Sequence, residues 1–167
     1  MAITFLRIDD RVIHGQITTR WIRECPCDGI VAVNDSIAED PILKKIYINA
    51  CDKKVFIWTI AEWLEKRERV IESKKNYFLI TKTAMDMKRI LVDESFDPKR
   101  REICFGPSTM RPDTKPLAGT KFWLSQEEID SLEELHKKGY RILFAMVRES
   151  AVGYWSDYRE RFGCSNQ

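Results

Sequence analysis

The sequence predicts an α/β protein: an open, mainly parallel sheet of about seven strands with helices on both faces. Three observations carry this. Short apolar runs alternate along the chain with amphipathic helical stretches. Those runs are nearly continuous in apolar residues, as in strands covered on both faces. The 167 residues are enough for one buried core, and 44% apolar with 32% charged residues is ordinary globular usage.

The elements follow in order. "ITFLRI" (3–8) is a strand and 16–24 a helix. "GIVAVN" (29–34) is the second strand. Asp40 as N-cap and Pro41 at the first helical position open a helix over 41–50, with Ile42, Leu43, Ile46 and Tyr47 as its apolar face. "KVFIWT" (54–59) is strand three, and Thr59 with Glu62 has capping-box spacing for a helix through 72. "NYFLIT" (76–81) is strand four. Thr83 caps the next helix, with Met87, Ile90 and Leu91 as its stripe. "EICFG" (102–106) and "KFWL" (121–124) are strands five and six. Ser125 and Glu128 form a second capping box, Ile129, Leu132 and Leu135 face inward, and Gly139 ends that helix. "RILFAMV" (141–147) is the last strand. Residues 1–147 read as a single domain and 148–167 as a tail, whose Trp155 and Tyr158 suit docking on the same domain or on a partner. The irregular stretch 106–120 is long enough to be functional or mobile.

Bulk properties narrow the function. A net charge of +2 gives no argument for nucleic acid or a bilayer surface. No apolar run approaches the roughly 18 residues of a spanning helix. "MAITFLRIDD" has no basic start before a long apolar stretch, so a cytosolic protein is expected. The five cysteines, Cys25, Cys27, Cys51, Cys104 and Cys164, form no spaced framework and suggest reduced thiols. "CPC" (25–27) reads as a helix-exit turn and Cys104 as core.

In open α/β sheets ligands sit beyond the carboxyl ends of the strands. The loop after strand one is the richest such segment: within "RIDDRVIHGQITTRW" (7–21), the loop residues 9–15 hold two acids, Arg11 and one of two histidines. A helix N-terminus favours an anion, and a neutral imidazole is a nucleophile titrating near neutrality. The planar fork of Arg11 suits phosphate oxygens. Asp9 or Asp10 could orient His14 or hold Arg11, and Gly15 permits close backbone approach. These residues could equally form a local ion pair that caps the helix, with His14 a satisfied turn residue. Lys82, after strand four, and Arg111, in the long loop, are further candidates for phosphate. Basic residues near the loop (Arg7, Arg11, Arg20) suit an acidic partner surface. No GxxxxGK[ST] pattern is present, neither histidine has metal-ligand spacing, and His136 suits the last turn of its helix.

"RIDDRVIHGQI" closely resembles the active-site signature R-I-D-D-R-L-I-H-G-Q-V of the IIB subunits of the mannose–fructose–sorbose family of the bacterial phosphoenolpyruvate-dependent sugar phosphotransferase system. Only Val12 and Ile17 differ, both conservatively. "VAVNDSIAEDPILKK", "LITKT" and "EEIDSLEELHKKGYRI" are similar to later family stretches, so the resemblance covers roughly 3–147. It implies that His14 takes a phosphoryl group on Nδ1 from a phosphohistidine on a separate IIA protein. The group then passes to a sugar brought in by the membrane IIC and IID subunits. It implies that Arg11 assists the phosphoryl group, and that Asp9, Asp10, Gly15 and Gln16 complete the loop. No cofactor beyond the phosphoryl group is implied, and a homodimer stays open. The resemblance also allows an antiparallel last strand. The segment "GPSTMRPDTKP" and the ending after residue 147 depart from the family pattern. An anion-binding module and a regulatory docking protein are the competing readings.

Overall fold

Nine strands form in chain order among the described residues: β1 (Ile3–Ile8), β2 (Gly29–Val33), β3 (Lys54–Trp58), β4 (Tyr77–Thr81), β5 (Glu102–Phe105), β6 (Lys115–Pro116), β7 (Trp123–Leu124), β8 (Arg141–Phe144) and β9 (Gly153–Tyr154). The computed structural model describes residues 2–117, 119 and 121–165. Seven of the strands make the main sheet, in the order β3-β2-β4-β1-β5-β8-β9. Every pairing in it is parallel except β8 with β9. The central β1 therefore opens its C-terminal loop between those of β4 and β5.

Helix α1 spans 15–24 and is π-helical over Ile17–Trp21. It is followed by α2 (Asp35–Glu39), α3 (Pro41–Asn49) and α4 (Ile60–Glu72). Then come α5 (Ala84–Lys88, continuing as a π turn over Arg89–Asp93), α6 (Gln126–Lys137) and α7 (Trp155–Tyr158). The caps form as the sequence predicts. Asp40 accepts from the amides of Ile42 and Leu43, both capping boxes close, Thr83 accepts from the Asp86 amide, and Gly139 takes φ +95° after α6.

Alternation along the strands splits the core in two. On one face Phe5, Ile30, Ala32, Ile57, Phe78 and Ile80 meet Ile17 and Trp21 of α1 and Ile37 of α2. On the other, Leu6, Ile8, Val33, Leu79 and Ile142 meet Trp63, Met87, Leu132 and Trp155. Helices thus cover both faces.

Four expectations change. "KFWL" is not a strand of the main sheet. Its last two residues form β7, which pairs antiparallel with β6, and Ser108 Oγ bonds both the carbonyl and the amide of Trp123, at 2.6 and 2.7 Å. The backbone is satisfied locally, so the run does not join the sheet. The strand at 141 is parallel and stops at Phe144, because the next carbonyls turn to serve buried donors: Ala145 and Met146 accept from Arg7, and Met146 from Trp21. The antiparallel strand is β9. Finally, the supposed apolar face of α3 is outside: Ile42 is 72% exposed and Ile46 57%. Ile37 of α2 fills the core over β2, and α3 lies beside the edge strand β3, with only Tyr47 leaning on the core.

The tail packs on the sheet and α6. Trp155 is fully buried, stacks on Phe162, and donates from Nε1 to Glu133 at 3.0 Å. Arg159 also donates to Glu133. Asn166 and Gln167 lie outside the described residues.

Candidate active site

The site starts inside β1. Residues two apart share a strand face, so Phe5, Arg7 and Asp9 line up under α1. Arg7 is completely buried. Its Nε and Nη2 donate to Asp9 Oδ2 at 3.0 and 2.8 Å, and Nη1 donates to the Ala145 carbonyl at 3.1 Å and to Cys104 Sγ at 2.9 Å. Its guanidinium lies 5.3 Å from the centre of the Trp21 ring, which itself stacks on Phe5. Arg7 therefore cannot meet a phosphate or a partner, contrary to expectation. It is the buried counter-charge of Asp9. Gly106 closes this pair from the end of β5: a Cβ there would overlap the Asp9 carboxylate and the Arg7 guanidinium.

The loop is folded around the same carboxylate. Asp9 Oδ1 accepts from the Arg11 amide at 3.1 Å, and the Asp9 carbonyl accepts from the Val12 amide at 3.0 Å. Such a side-chain-to-backbone bond is the habit of Asp in turns. Val12 completes the turn at φ +58°, a left-handed conformation rare for a β-branched residue, with its side chain buried. Ile13 is buried beside it. The turn brings His14 back over the strand end. Its Nε2 lies 2.8 Å from Asp9 Oδ2, and its Nδ1 2.6 Å from Gln16 Oε1 in the first turn of α1. The His14 side chain keeps 12% exposure and that of Arg11 47%, whereas that of Asp9 has none. Burial opposes the Asp9 charge. The bond from His14, the charges of Arg7 and His14, and the Arg11 amide outweigh it and hold the carboxyl below its ordinary pKa.

The choice between Asp9 and Asp10 resolves here. Asp10 Oδ2 accepts from the amide and hydroxyl of Thr109, at 3.1 and 3.2 Å, and so ties down the 106–120 loop instead of bonding the imidazole. Arg11 Nε stands 3.7 Å from Asp9 Oδ1 with its guanidinium half in solvent. Arg111 is engaged elsewhere, by Glu128 at 3.1 Å and Asp113 at 3.9 Å, and Arg20 pairs with Glu149. Lys82 follows β4 half-exposed and has no ion-pair partner among the described residues. Gly15 is exposed, and a Cβ there would meet nothing within 4 Å, so close approach within this chain does not require glycine at 15.

Sequence reasoning missed two members of the neighbourhood. Gly106 carried no motif of its own. Tyr47 was read as part of an apolar face. Burial, then the charges of Asp10 and Asp9, raise the pKa of its hydroxyl, so the ring lies within electrostatic range of the acids. Spacing along α3 points Tyr47 away from Ile42, but nothing local says toward what. Among the described residues no group of three or more His, Cys, Asp or Glu could hold a metal ion. Among the described residues no helix is long and apolar enough to cross a membrane.

A family model, PTS system sorbose subfamily IIB component, matches residues 3–163. The chain belongs to this family. The match runs past residue 147, so the tail follows the IIB pattern further than its sequence suggested. This IIB chain is 41% identical over 152 residues to the PTS system sorbose-specific EIIB component of Klebsiella pneumoniae, covering 88% of each. It is 46% identical over 55 residues to the PTS system fructose-specific EIIB component of Bacillus subtilis, a match spanning 33% of this chain and 34% of that one. A 46-residue match to the mannose-specific EIIAB component of Escherichia coli, at 46% identity, spans 28% of this chain and 14% of that one. The crystal structure of manxB from Thermoanaerobacter tengcongensis shares the fold at TM-score 0.83 and 28% identity over 96% of both chains.

Proposed function

We propose that the chain is a phosphocarrier of the sugar phosphotransferase system, taking a phosphoryl group on His14 Nδ1 from a separate phospho-IIA protein. It passes the group to a sugar at the membrane IIC/IID permease, as a cytoplasmic protein peripheral to that permease, without a metal or organic cofactor. The observation that carries this is the 2.8 Å bond between His14 Nε2 and the buried Asp9 carboxylate. An ionised carboxylate there keeps the proton on Nε2, so the lone pair is left on Nδ1. When Nδ1 forms its bond to phosphorus, the bond from phosphorus to the donor nitrogen breaks and the donor ring keeps the electron pair. The His14 ring becomes cationic, and Asp9 is already placed to stabilise it. The exposed guanidinium of Arg11 and the N-terminal end of α1 supply positive charge for the phosphoryl oxygens.

Four of the five thiols are poorer acceptors. Burial pushes Cys27 and Cys104 up to about 11, and also raises Cys25 and Cys164, so the nucleophilic thiolate is suppressed at all four. The sorbose-, fructose- and mannose-specific names of the relatives favour a hexose-type substrate. The test is labelling with phosphoenolpyruvate, the general phosphotransferase proteins and a IIA protein. An acid-labile label with a phosphorus–nitrogen NMR signal is expected on wild type and absent from His14→Ala. Label surviving in that variant, or none on wild type, overturns the reading.

A further inference from the structure

The acceptor nitrogen is covered. Gln16 Oε1 lies 2.6 Å from His14 Nδ1, where an incoming phosphorus atom must approach. Asp9 holds the other ring nitrogen, so the ring cannot offer Nε2 instead. Gln16 is only half-buried, at the first turn of α1, and its side chain makes no capping bond to the helix.

We propose that the Gln16 carboxamide is a reversible cap on His14 Nδ1, which turns aside for transfer and then donates its NH2 group to a phosphoryl oxygen. This deepens, and rests on, the phosphocarrier reading. A carboxamide has an acceptor end and a donor end of nearly the same shape. With its oxygen toward the ring it accepts from an Nδ1–H, and both ring nitrogens then face acceptors. With its nitrogen toward the ring it donates to the Nδ1 lone pair. In either orientation the amide occupies the path of the phosphoryl group and has to leave before the new bond forms. Any Nδ1 proton goes to solvent as it leaves. The lone pair then bonds phosphorus, the donor nitrogen recovers its electrons, and the Nε2 proton stays on the ring, hydrogen-bonded to Asp9. Afterwards the three phosphoryl oxygens are strong acceptors, and the donor end of Gln16 is the matching group within reach. The cap then becomes a clasp that shields the phosphorus–nitrogen bond from water.

The test compares wild type with Gln16→Ala, Gln16→Leu and Gln16→Glu, each checked for folding by circular dichroism. Two rates are read: phosphoryl acceptance from phospho-IIA, and hydrolysis of the isolated phosphohistidine. The 15N resonance of Nδ1 in the unphosphorylated protein is read as well. Gln16→Ala and Gln16→Leu should accept at least as fast as wild type, hydrolyse several-fold faster, and shift the Nδ1 resonance. Gln16→Glu should accept about tenfold more slowly or worse, since a carboxylate repels the phosphoryl group at this range. If wild type is labelled on His14 and Ala and Leu match it in both rates and in the resonance, the cap is wrong and the carrier reading stands. A Glu variant that accepts at the wild-type rate also overturns the cap. Absence of label on wild type removes both.

Discussion

Asp9 and His14 are five residues apart in the chain, and their side chains meet through a 2.8 Å bond from His14 Nε2 to Asp9 Oδ2. The same oxygen takes two bonds from the buried guanidinium of Arg7. One carboxylate oxygen thus joins a fixed cation to the proposed acceptor ring. Asp9→Asn keeps the shape and removes the charge. It should leave Arg7 uncompensated and destabilise the fold by about 3–5 kcal/mol in urea unfolding. Phosphoryl acceptance should fall by about 10²-fold or more, because the ring loses its fixed tautomer.

Acid should act through the same carboxylate. The folded-state pKa of Asp9 is lowered, so the unfolded chain binds its proton more readily. Its contribution is complete above the ordinary carboxylate value, about 3.9, and is lost as pH falls through the folded value. Asp86 has the opposite sign. Burial raises its pKa despite hydrogen bonds with Asn34 and Thr83, so its contribution is lost as pH rises through the folded value. Urea unfolding from pH 3 to 7 should show a flatter acid limb for Asp9→Asn and a steeper one for Asp86→Asn, both against wild type.

Gly106→Ala should damage the site although the substituted residue lies outside the 9–15 loop. The new Cβ would come within 2.9 Å of Asp9 Cγ and closer still to the carboxylate oxygen. Asp9 cannot retreat without breaking its bonds to Arg7 or His14. Overpacking of this kind costs about 1–3 kcal/mol. Thermal unfolding should come earlier and acceptance should drop. Gly15→Ala is the control, since its Cβ meets no atom within 4 Å, and it should melt like wild type.

Val12→Gly separates stability from positioning. The substitution relieves a left-handed φ of +58° that strains valine by about 1–3 kcal/mol. It also removes a buried side chain worth about 1.5–3 kcal/mol. The two nearly cancel, so urea midpoints should change little. The freed turn should hold His14 less firmly over Asp9, and the acceptance rate should fall.

Trp155→Ala tests the tail. Emptying that site should cost about 3–5 kcal/mol and leave Glu133 without its indole partner. The loss should appear in denaturant midpoints, while molecules that remain folded accept phosphate normally.

Local chemistry made much of this legible in the sequence. Thr59 with Glu62, Ser125 with Glu128, and Asp40 before Pro41 are read by their own neighbours, so those helix starts fall where spacing puts them. The loop motif likewise marked His14 and its acids. What failed depended on distant parts of the chain. Arg7 reads as a surface base until the carbonyls of Ala145 and Met146 arrive to bury it. Asp10 reads as a partner for His14 until Thr109 claims it. Ile42 and Ile46 read as core because a helical period cannot say whether anything lies against it. The 153–154 pair is too short to show a strand period, so β9 was invisible and "KFWL" took its place.

The π segment of α1 has a consequence for how this chain tolerates change. A π turn holds one residue more than the 3.6 of an α turn, and each residue advances a helix by about 100°. The stretch Ile17–Trp21 therefore works as a phase shifter between the two ends of α1. Before it, Gln16 is set at the imidazole; at its far end, the Trp21 indole reaches the Met146 carbonyl and stacks on Phe5. Deleting one residue from this stretch would restore a regular helix and rotate one end against the other by roughly a quarter turn. Either the indole would leave its slot or Gln16 would swing off the ring. Length within 17–21 is thus constrained more tightly than residue identity at its exposed positions.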